Sequence, residues 1–216
     1  SIVTIGDVSH HCNLQELDLG HNGIEEIQGL SSLKCLRVLR LNNNKIQEIN
    51  GIDGLPLVEV NLDNNEIRAV QNVGAEKLPN LRTLRLGYNH ISILEGLTGC
   101  SSLALLDVQF NRIIAVRQVE FLQQCPFLHT LILEGNPVDT LEAYRSRVIF
   151  RLQGLMVLDR NKIPPEEKVK SVNLMGDEDS DLPHRKQVFE EHLPGTDFIN
   201  TLPPFSEPEG PPSTEP

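Results

Sequence analysis

The sequence predicts an α/β solenoid, in which a parallel sheet lines the concave side and short 3₁₀ or helical segments form the convex side. An eleven-residue pattern, Leu-x-x-Leu-x-Leu-x-x-Asn-x-Ile or close to it, begins at residues 14, 36, 57, 81, 103 and 128. The successive starts are 22, 21, 24, 22 and 25 residues apart. An asparagine holds the same offset in every copy: Asn22, Asn44, Asn65, Asn89, Asn111 and Asn136.

Each copy predicts one short strand and one return segment. The alternating leucines are typical of a strand with one buried side. Further along, apolar residues recur at every third position, as at Ile24, Ile27 and Leu30. This spacing suits a 3₁₀-like turn, whose side chains i and i+3 eclipse. The longer intervals 68–80 and 114–127 have room for one or two turns of α-helix.

The first residues of the chain keep the period of the repeat. Ile2, Ile5 and Val8 lie 22 residues before the matching apolar residues of the first copy. We therefore expect the chain to begin in the return half of a preceding unit. The alternative is an N-terminal cap formed by residues 1–13 that keeps the same period.

The last copy is followed by a different pattern. Apolar residues have helical spacing over 141–152, and Leu155 and Leu158 then match the first half of a seventh unit. We expect a solenoid over 1–163 that ends in a cap at about 137–163. A short flanking helix is predicted at 164–173, where two prolines would begin it.

The remaining residues, 174–216, are acidic and rich in proline, and we expect them to be largely disordered. One short helical candidate lies at 184–193 within this tail.

The repeats resemble the SDS22-like class of the leucine-rich repeat family. Residues Tyr144-Arg145, Val148, Leu152, Leu155 and Leu158-Asp159 resemble the leucine-rich-repeat cap motif. The resemblance implies a curved, right-handed horseshoe segment, in which the repeated asparagines form a ladder of side-chain hydrogen bonds to the backbone. Similar repeats occur in the SDS22 phosphatase regulator, the U2 A-prime spliceosomal protein and ciliary proteins. It thus implies a non-enzymatic interaction scaffold, with a phosphatase-regulatory subunit or a ciliary or axonemal assembly scaffold as alternatives.

The charge balance argues against direct binding to nucleic acid or to an anionic membrane, since both need clustered positive charge. The formal net charge is −11. Residues 161–216 hold 5 basic and 12 acidic groups, a net of −7, which leaves −4 for the preceding residues. A protein partner, with basic groups of its own, fits this balance better. The sequence contains no run of about 18 apolar residues, so it predicts no membrane span.

The sequence contains no recognisable catalytic, metal or cofactor motif. The four cysteines form no CxxC pair, which favours reduced thiols in the cytoplasm or the nucleus. The cilium or axoneme is a further location that the family resemblance implies. Adjacent residues such as His10-His11-Cys12 rarely converge on one ion, and we interpret them as an exposed turn. The acidic stretch 176–181 lacks the glycine and closing glutamate of a calcium loop. We therefore predict a protein that is not an enzyme and needs no cofactor.

The candidate binding site is the concave face, formed by the residues between and just after the strand leucines. The tail folding over this face, or simple tolerance of a few apolar residues there, are the alternatives to an external partner. We expect a monomeric solenoid that holds a helix or loop of another protein. Arginines would bind acidic groups of the partner, carboxylates its basic groups, and a cluster of four apolar residues would form the centre. The predicted contacts are Arg40, Asp63, Arg85, Tyr88, Leu105, Asp107, Phe110, Ile132 and Glu134.

Overall fold

The computed structural model describes residues 1–175, 186–187 and 190–191 of the 216-residue chain. The chain divides into two compact units, Ser1–Ile163 and Pro164–Pro216. The tail expected at 174–216 and its helical candidate at 184–193 fall largely outside the described residues.

The first unit is a solenoid built on one sheet of eight strands arranged in sequence order. Strands β1 to β7 are parallel, and β8 is antiparallel to β7. The six repeats supply β1 Glu16–Asp18, β2 Val38–Arg40, β3 Glu59–Asn61, β4 Thr83–Arg85, β5 Leu105–Asp107 and β6 Thr130–Ile132. The cap supplies β7 Val157–Leu158 and β8 Asn161–Lys162. The predicted fold class is confirmed.

A single aliphatic core runs through this unit between the sheet and the return segments. The central residues of the inner strands, among them Leu39, Leu84 and Leu131, are fully buried. Leu17 of the first strand is only half-buried, because a neighbouring strand covers it on one side alone. Since each unit buries its apolar side against the next, stacking supplies the stability that no unit has alone.

The return segments consist of turns and 3₁₀ helices. Three 3₁₀ helices are present, Glu95–Leu97, Val116–Leu122 and Pro137–Thr140. The prediction of α-helix at 68–80 and 114–127 is wrong. The first interval forms non-helical turns, and the second contains a 3₁₀ helix. The buried residues of that 3₁₀ helix, spaced by three, explain the difference, because three residues per turn bring all of them to the core.

Residues 1–13 continue the hydrogen-bond pattern of the repeats. The Gly23 amide donates to the Ile2 carbonyl at 2.8 Å, as the Lys45 amide donates to the Ile24 carbonyl at 2.9 Å. The Ile2 amide in turn donates to Asn22 Oδ1 at 2.8 Å. Ile2 therefore holds the backbone position that Ile24 holds one unit later.

The cap consists of helix α1, Tyr144–Arg151, followed by the β7–β8 hairpin. Buried Val148 and Ile149 project from α1 into the core. Arg145 donates to the backbone carbonyls of Leu158 and Lys162 at 3.2 and 3.0 Å. These contacts hold α1 against the last strands, so that the end of the core is covered.

The second unit begins with helix α2, Pro165–Met175. Proline is suited to the first turn of a helix, because its missing N–H has no partner there in any case. Glu166 and Glu167 also lie in this first turn, where the helix dipole favours negative charge.

Candidate protein-binding surface

The strand register fixes which concave side chains are neighbours. Glu16, at the start of β1, pairs with Val38, and this row continues strand by strand to Thr130. The third strand position forms a second row, from Asp18 to Ile132. Neighbouring strands lie about 4.8 Å apart, so each row brings six side chains into line on one surface.

The ladder asparagines belong to the frame beneath this surface. Asn44 Nδ2 donates to the carbonyls of Leu19 and Leu41, both at 3.0 Å. Its Oδ1 accepts the Ile24 amide at 3.0 Å. The same three bonds recur at Asn65, Asn89, Asn111 and Asn136. A buried amide is tolerated at these positions because all its bonds are satisfied.

The residue before each ladder asparagine has a left-handed backbone conformation. The φ values are 56° at His21, 58° at Asn43, 55° at Asn64, 56° at Tyr88, 50° at Phe110 and 76° at Gly135. Glycine, asparagine and histidine tolerate this region, whereas bulky aromatic residues seldom adopt it. Sequence reasoning missed this feature, although the asparagines and the glycine in the column were a signal for it. Tyr88 and Phe110 therefore occupy strained positions, and such strain concentrates at functional sites.

Tyr88 and Phe110 form a stacked aromatic pair, with ring centroids 4.6 Å apart and planes inclined by 16°. The two residues remain 51% and 43% exposed. The Phe110 ring also covers Gly135, where an added Cβ would clash with it. The missing side chain of Gly135 thus leaves room for the Phe110 ring, and the pair stays about half exposed.

Leu105 and Ile132 lie on the strands of the concave face, away from the aromatic pair. Both are half-buried, Leu105 at the first position of its strand and Ile132 at the last. The aromatic pair lies three residues beyond the ends of β4 and β5. The four residues that the sequence analysis placed in one cluster are therefore distributed over three levels of the surface.

Asp107 corrects the sequence analysis, which treated it as a surface carboxylate for a basic partner. It is only 3% exposed. Its Oδ1 accepts the Gln109 amide and its Oδ2 accepts Gln109 Nε2, both at 3.1 Å. The carboxylate is buried because it turns back onto the loop after its own strand. Burial raises the pKa of Asp107, and Arg85 and Arg160 oppose that rise.

Arg160 is a surface residue that sequence reasoning missed. It lies in the β7–β8 turn with a φ of 64°. Its Nη2 donates to Gln109 Oε1 at 2.7 Å, and its Nη1 to Glu134 Oε2 at 3.0 Å. The predicted contact Glu134 thus already has a cationic neighbour, although an ion pair this exposed contributes little stability. The cap thereby places a guanidinium beside the concave face.

Asp63 and the two predicted arginines surround the middle of the face. Asp63 Oδ1 accepts the Gly87 amide at 2.7 Å. Burial raises the pKa of Asp63 to about 6, and the nearby Asp107 charge adds to the rise. Arg85 is exposed. Arg40 forms an exposed ion pair with Glu16, with 3.4 Å between Nη1 and Oε2.

Within residues 1–175 and the four later described positions, no group of three or more histidine, cysteine or acidic residues has the geometry of a metal site. No helix in that part has the length and apolar character to cross a membrane. All four cysteines are free thiols, with Cys12 and Cys35 exposed and Cys100 and Cys125 buried.

Comparison with known proteins agrees with the repeat and with the fold. Family models for leucine rich repeats match residues 12–54, as two copies, and residues 56–113. The U2 small nuclear ribonucleoprotein A′ of Candida albicans is 32% identical over 118 residues, 54% of this chain and 50% of that protein. The Cilia- and flagella-associated protein 410 of Mus musculus is 31% identical over 112 residues, 51% of this chain and 45% of that protein. This chain thus spans half or less of the length of these curated relatives.

A solved structure supports the same architecture. A chain of the Drosophila melanogaster SNF/U2A′ complex aligns with a TM-score of 0.51 and 22% identity, over 82% of this chain and 87% of that chain. Similarity at this identity concerns the fold alone. The parallel sheet, the stacked units and the asparagine ladder define a solenoid repeat protein. The chain contains leucine-rich repeats over residues 12–113, and it is similar to U2A′ and to ciliary leucine-rich-repeat proteins.

Proposed function

We propose that the concave face binds a helix or loop of a protein partner, with Tyr88 and Phe110 as its apolar anchor. The observation that carries this proposal is the stacked, half-exposed aromatic pair on two strained backbone positions. Exposed aromatic groups rimmed by charge are typical of binding sites, and tyrosine and arginine are frequent hot spots. A scaffold with this surface needs no catalytic residue.

Charged groups around the aromatic pair would orient the partner. Arg85 offers a guanidinium group to its acidic side chains, and Asp63 offers a carboxylate to its basic ones. Arg160 and Glu134, which pair with each other, would exchange that exposed ion pair for contacts with the partner. Because the chain carries a net charge of −11, we propose a partner segment that is basic on balance, with one apolar or aromatic side chain.

The cellular setting is proposed from the relatives. The mouse relative is named for cilia and flagella, and the yeast relative for a nuclear ribonucleoprotein. We propose a role in a ciliary or axonemal assembly first, because the acidic surface does not suit direct contact with RNA. The phosphatase-regulatory role implied by the SDS22-like resemblance is the second candidate, tested by titration with phosphatase catalytic subunits.

Affinity capture from ciliated cells, read by quantitative mass spectrometry, tests the surface. The wild-type chain is compared with Tyr88→Asn/Phe110→Asn, whose new residues suit the left-handed backbone. Ile93→Asn/Ile114→Asn is the matched control, since these exposed apolar residues lie on return segments. We expect the aromatic variant to recover at least tenfold less of each specific partner than the wild type does. The control variant should recover the same amounts as the wild type. An unchanged partner list for the aromatic variant would overturn the proposal.

A further inference from the structure

A second surface follows the edge of the sheet at which the strands begin. Arg37, Val58, Arg82, Ala104 and His129 directly precede β2 to β6. The Arg37 carbonyl accepts the two amides of Val58 and the residue after it, at 2.8 and 3.0 Å. The Arg82 carbonyl likewise accepts the amides of Ala104 and of the residue after it, both at 2.9 Å. These bonds fix the row at the spacing of the sheet, about 4.8 Å for each strand.

Long and short side chains alternate along this row and leave two notches. The first has a volume of about 450 Å³ and lies at Val58, between Arg37 and Arg82. The second has a volume of about 310 Å³ and lies at Ala104, between Arg82 and His129. We call the two notches together the edge groove. Arg82 separates them and borders both.

The outer wall of the edge groove is formed by residues that lie before the row in each repeat. Pro56 and Asn80 border the first notch. Ser102 borders both notches, and its hydroxyl donates to the Pro79 carbonyl at 2.6 Å, which ties two neighbouring repeats together. Phe127 borders the second notch. The wall is therefore made by the same repeat geometry as the row.

The two notches differ in chemistry. Within the described residues, neither Arg37 nor Arg82 has a side-chain hydrogen bond or an ion pair, so two guanidinium groups face the first notch without a counter-charge. The second notch is bordered by Ala104 and by Phe127, which is 67% exposed. A basic notch beside an apolar notch is notable on a chain whose net charge is −11.

We propose that the edge groove binds a polyproline II segment of a partner protein. An acidic side chain would enter the first notch and an apolar side chain the second. The notches lie two strands apart, about 10 Å. A polyproline II segment places residues i and i+3 on one face about 9.3 Å apart, and a preformed helix loses little entropy on binding. Because the edge groove is separate from the concave face, this site goes beyond the function proposed above.

Fluorescence anisotropy with the full chain tests this site. The probe is a fluorescein-labelled Pro-Pro-Glu-Pro-Pro-Leu-Pro-Pro peptide, in which acid and leucine are three residues apart. One control peptide has glutamine in place of the glutamate, and another has the leucine two residues after it. We expect the probe to bind at least tenfold more tightly than either control.

Variants then assign the binding to the notches. Arg82→Gln removes the shared guanidinium, and Phe127→Ala removes the exposed wall of the apolar notch. Each substitution should lower the affinity for the probe at least tenfold, while Tyr88→Asn/Phe110→Asn should leave that affinity unchanged. Circular dichroism checks that each variant is folded.

Any of three outcomes would overturn the proposal. The first is equal affinity for the three peptides, and the second is affinity that Arg82→Gln leaves intact. The third is tight binding of a fluorescein-labelled single-stranded oligouridylate that depends on Arg37 and Arg82, which would assign the arginines to a nucleic acid.

Discussion

The Tyr144 hydroxyl donates a hydrogen bond of 2.9 Å to Asp159 Oδ2 and so joins helix α1 to the turn after β7. Oδ1 of the same carboxylate accepts the amides of Leu133 and Glu134 at 2.7 and 3.0 Å. Burial and the neighbouring carboxylate raise the pKa of Tyr144, which keeps its hydroxyl a donor. One carboxylate therefore ties the cap helix to the end of the last repeat strand.

Substitutions at Tyr144 and Asp159 should lower the free energy of unfolding by different amounts. Tyr144→Phe keeps the ring and removes one hydrogen bond, so we expect the free energy of unfolding to fall by about 1 kcal/mol. Asp159→Ala leaves two part-buried amides and the tyrosine hydroxyl without their acceptor, and should cost about 3 kcal/mol. Urea denaturation measures both. Equal costs would contradict the role of Asp159 as the shared acceptor.

Alanine substitution should destabilise the fold more at an interior asparagine of the ladder than at the first one, Asn22. Asn44→Ala leaves the Ile24 amide and the carbonyls of Leu19 and Leu41 without their side-chain partner. We expect the free energy of unfolding to fall by about 2 kcal/mol. Asn22→Ala should cost less, because Asn22 is half-buried and its Oδ1 serves the amide of exposed Ile2. Chemical denaturation compares them, with exposed Asn80→Ala as the control at a change within about 0.5 kcal/mol. A loss at Asn44 no larger than that of the control would argue against the ladder as a frame.

The left-handed backbone at Phe110 predicts which replacements the turn accepts. Phe110→Ala and Phe110→Asn both lose the stack with Tyr88, but asparagine suits a φ of 50° better than alanine does. We therefore expect the asparagine variant to be more stable than the alanine variant by about 1 kcal/mol. Thermal denaturation of the two proteins provides the measurement. If they unfold at the same temperature, the aromatic residue is not held in a strained conformation.

Asp63 should make stability depend on pH. Burial raises the folded-state pKa of Asp63 to about 6 from its ordinary value of 3.8, so the folded state holds the proton more tightly than the unfolded chain does. The stability of the wild type should therefore fall as pH rises from about 4 to about 6. Asp63→Asn keeps an oxygen acceptor for the Gly87 amide and removes this titration.

Denaturation at several pH values tests this effect as a difference between the two proteins. The advantage of Asp63→Asn should be small at pH 4, grow up to pH 6 and stay level above it. Asp53→Asn, at an exposed aspartate, is the matched control. A difference that is the same at pH 4 and pH 7 would refute the raised pKa.

Most of the fold could be predicted because it is repeated. A leucine that recurs in six copies has the same neighbour in each, so local pattern and tertiary contact coincide. The cap was also predictable, since Tyr144 and Asp159 belong to a motif. The return segment at 116–122 was not, because three- and four-residue spacings are hard to tell apart over so few residues, and packing on the core selects the 3₁₀ form.

The sequence by itself determined the solenoid, the order of its strands, the ladder asparagines and the position of the cap, since each depends on spacing along the chain. Only the tertiary structure decided which surface groups meet. Asp107 is buried, with its carboxylate turned back onto Gln109, and Arg160 contacts Gln109 although the two are 51 positions apart. Tyr88 and Phe110 stack because two turns from neighbouring repeats share one left-handed conformation. Such contacts depend on side-chain directions across repeats, which no periodicity along a single chain encodes.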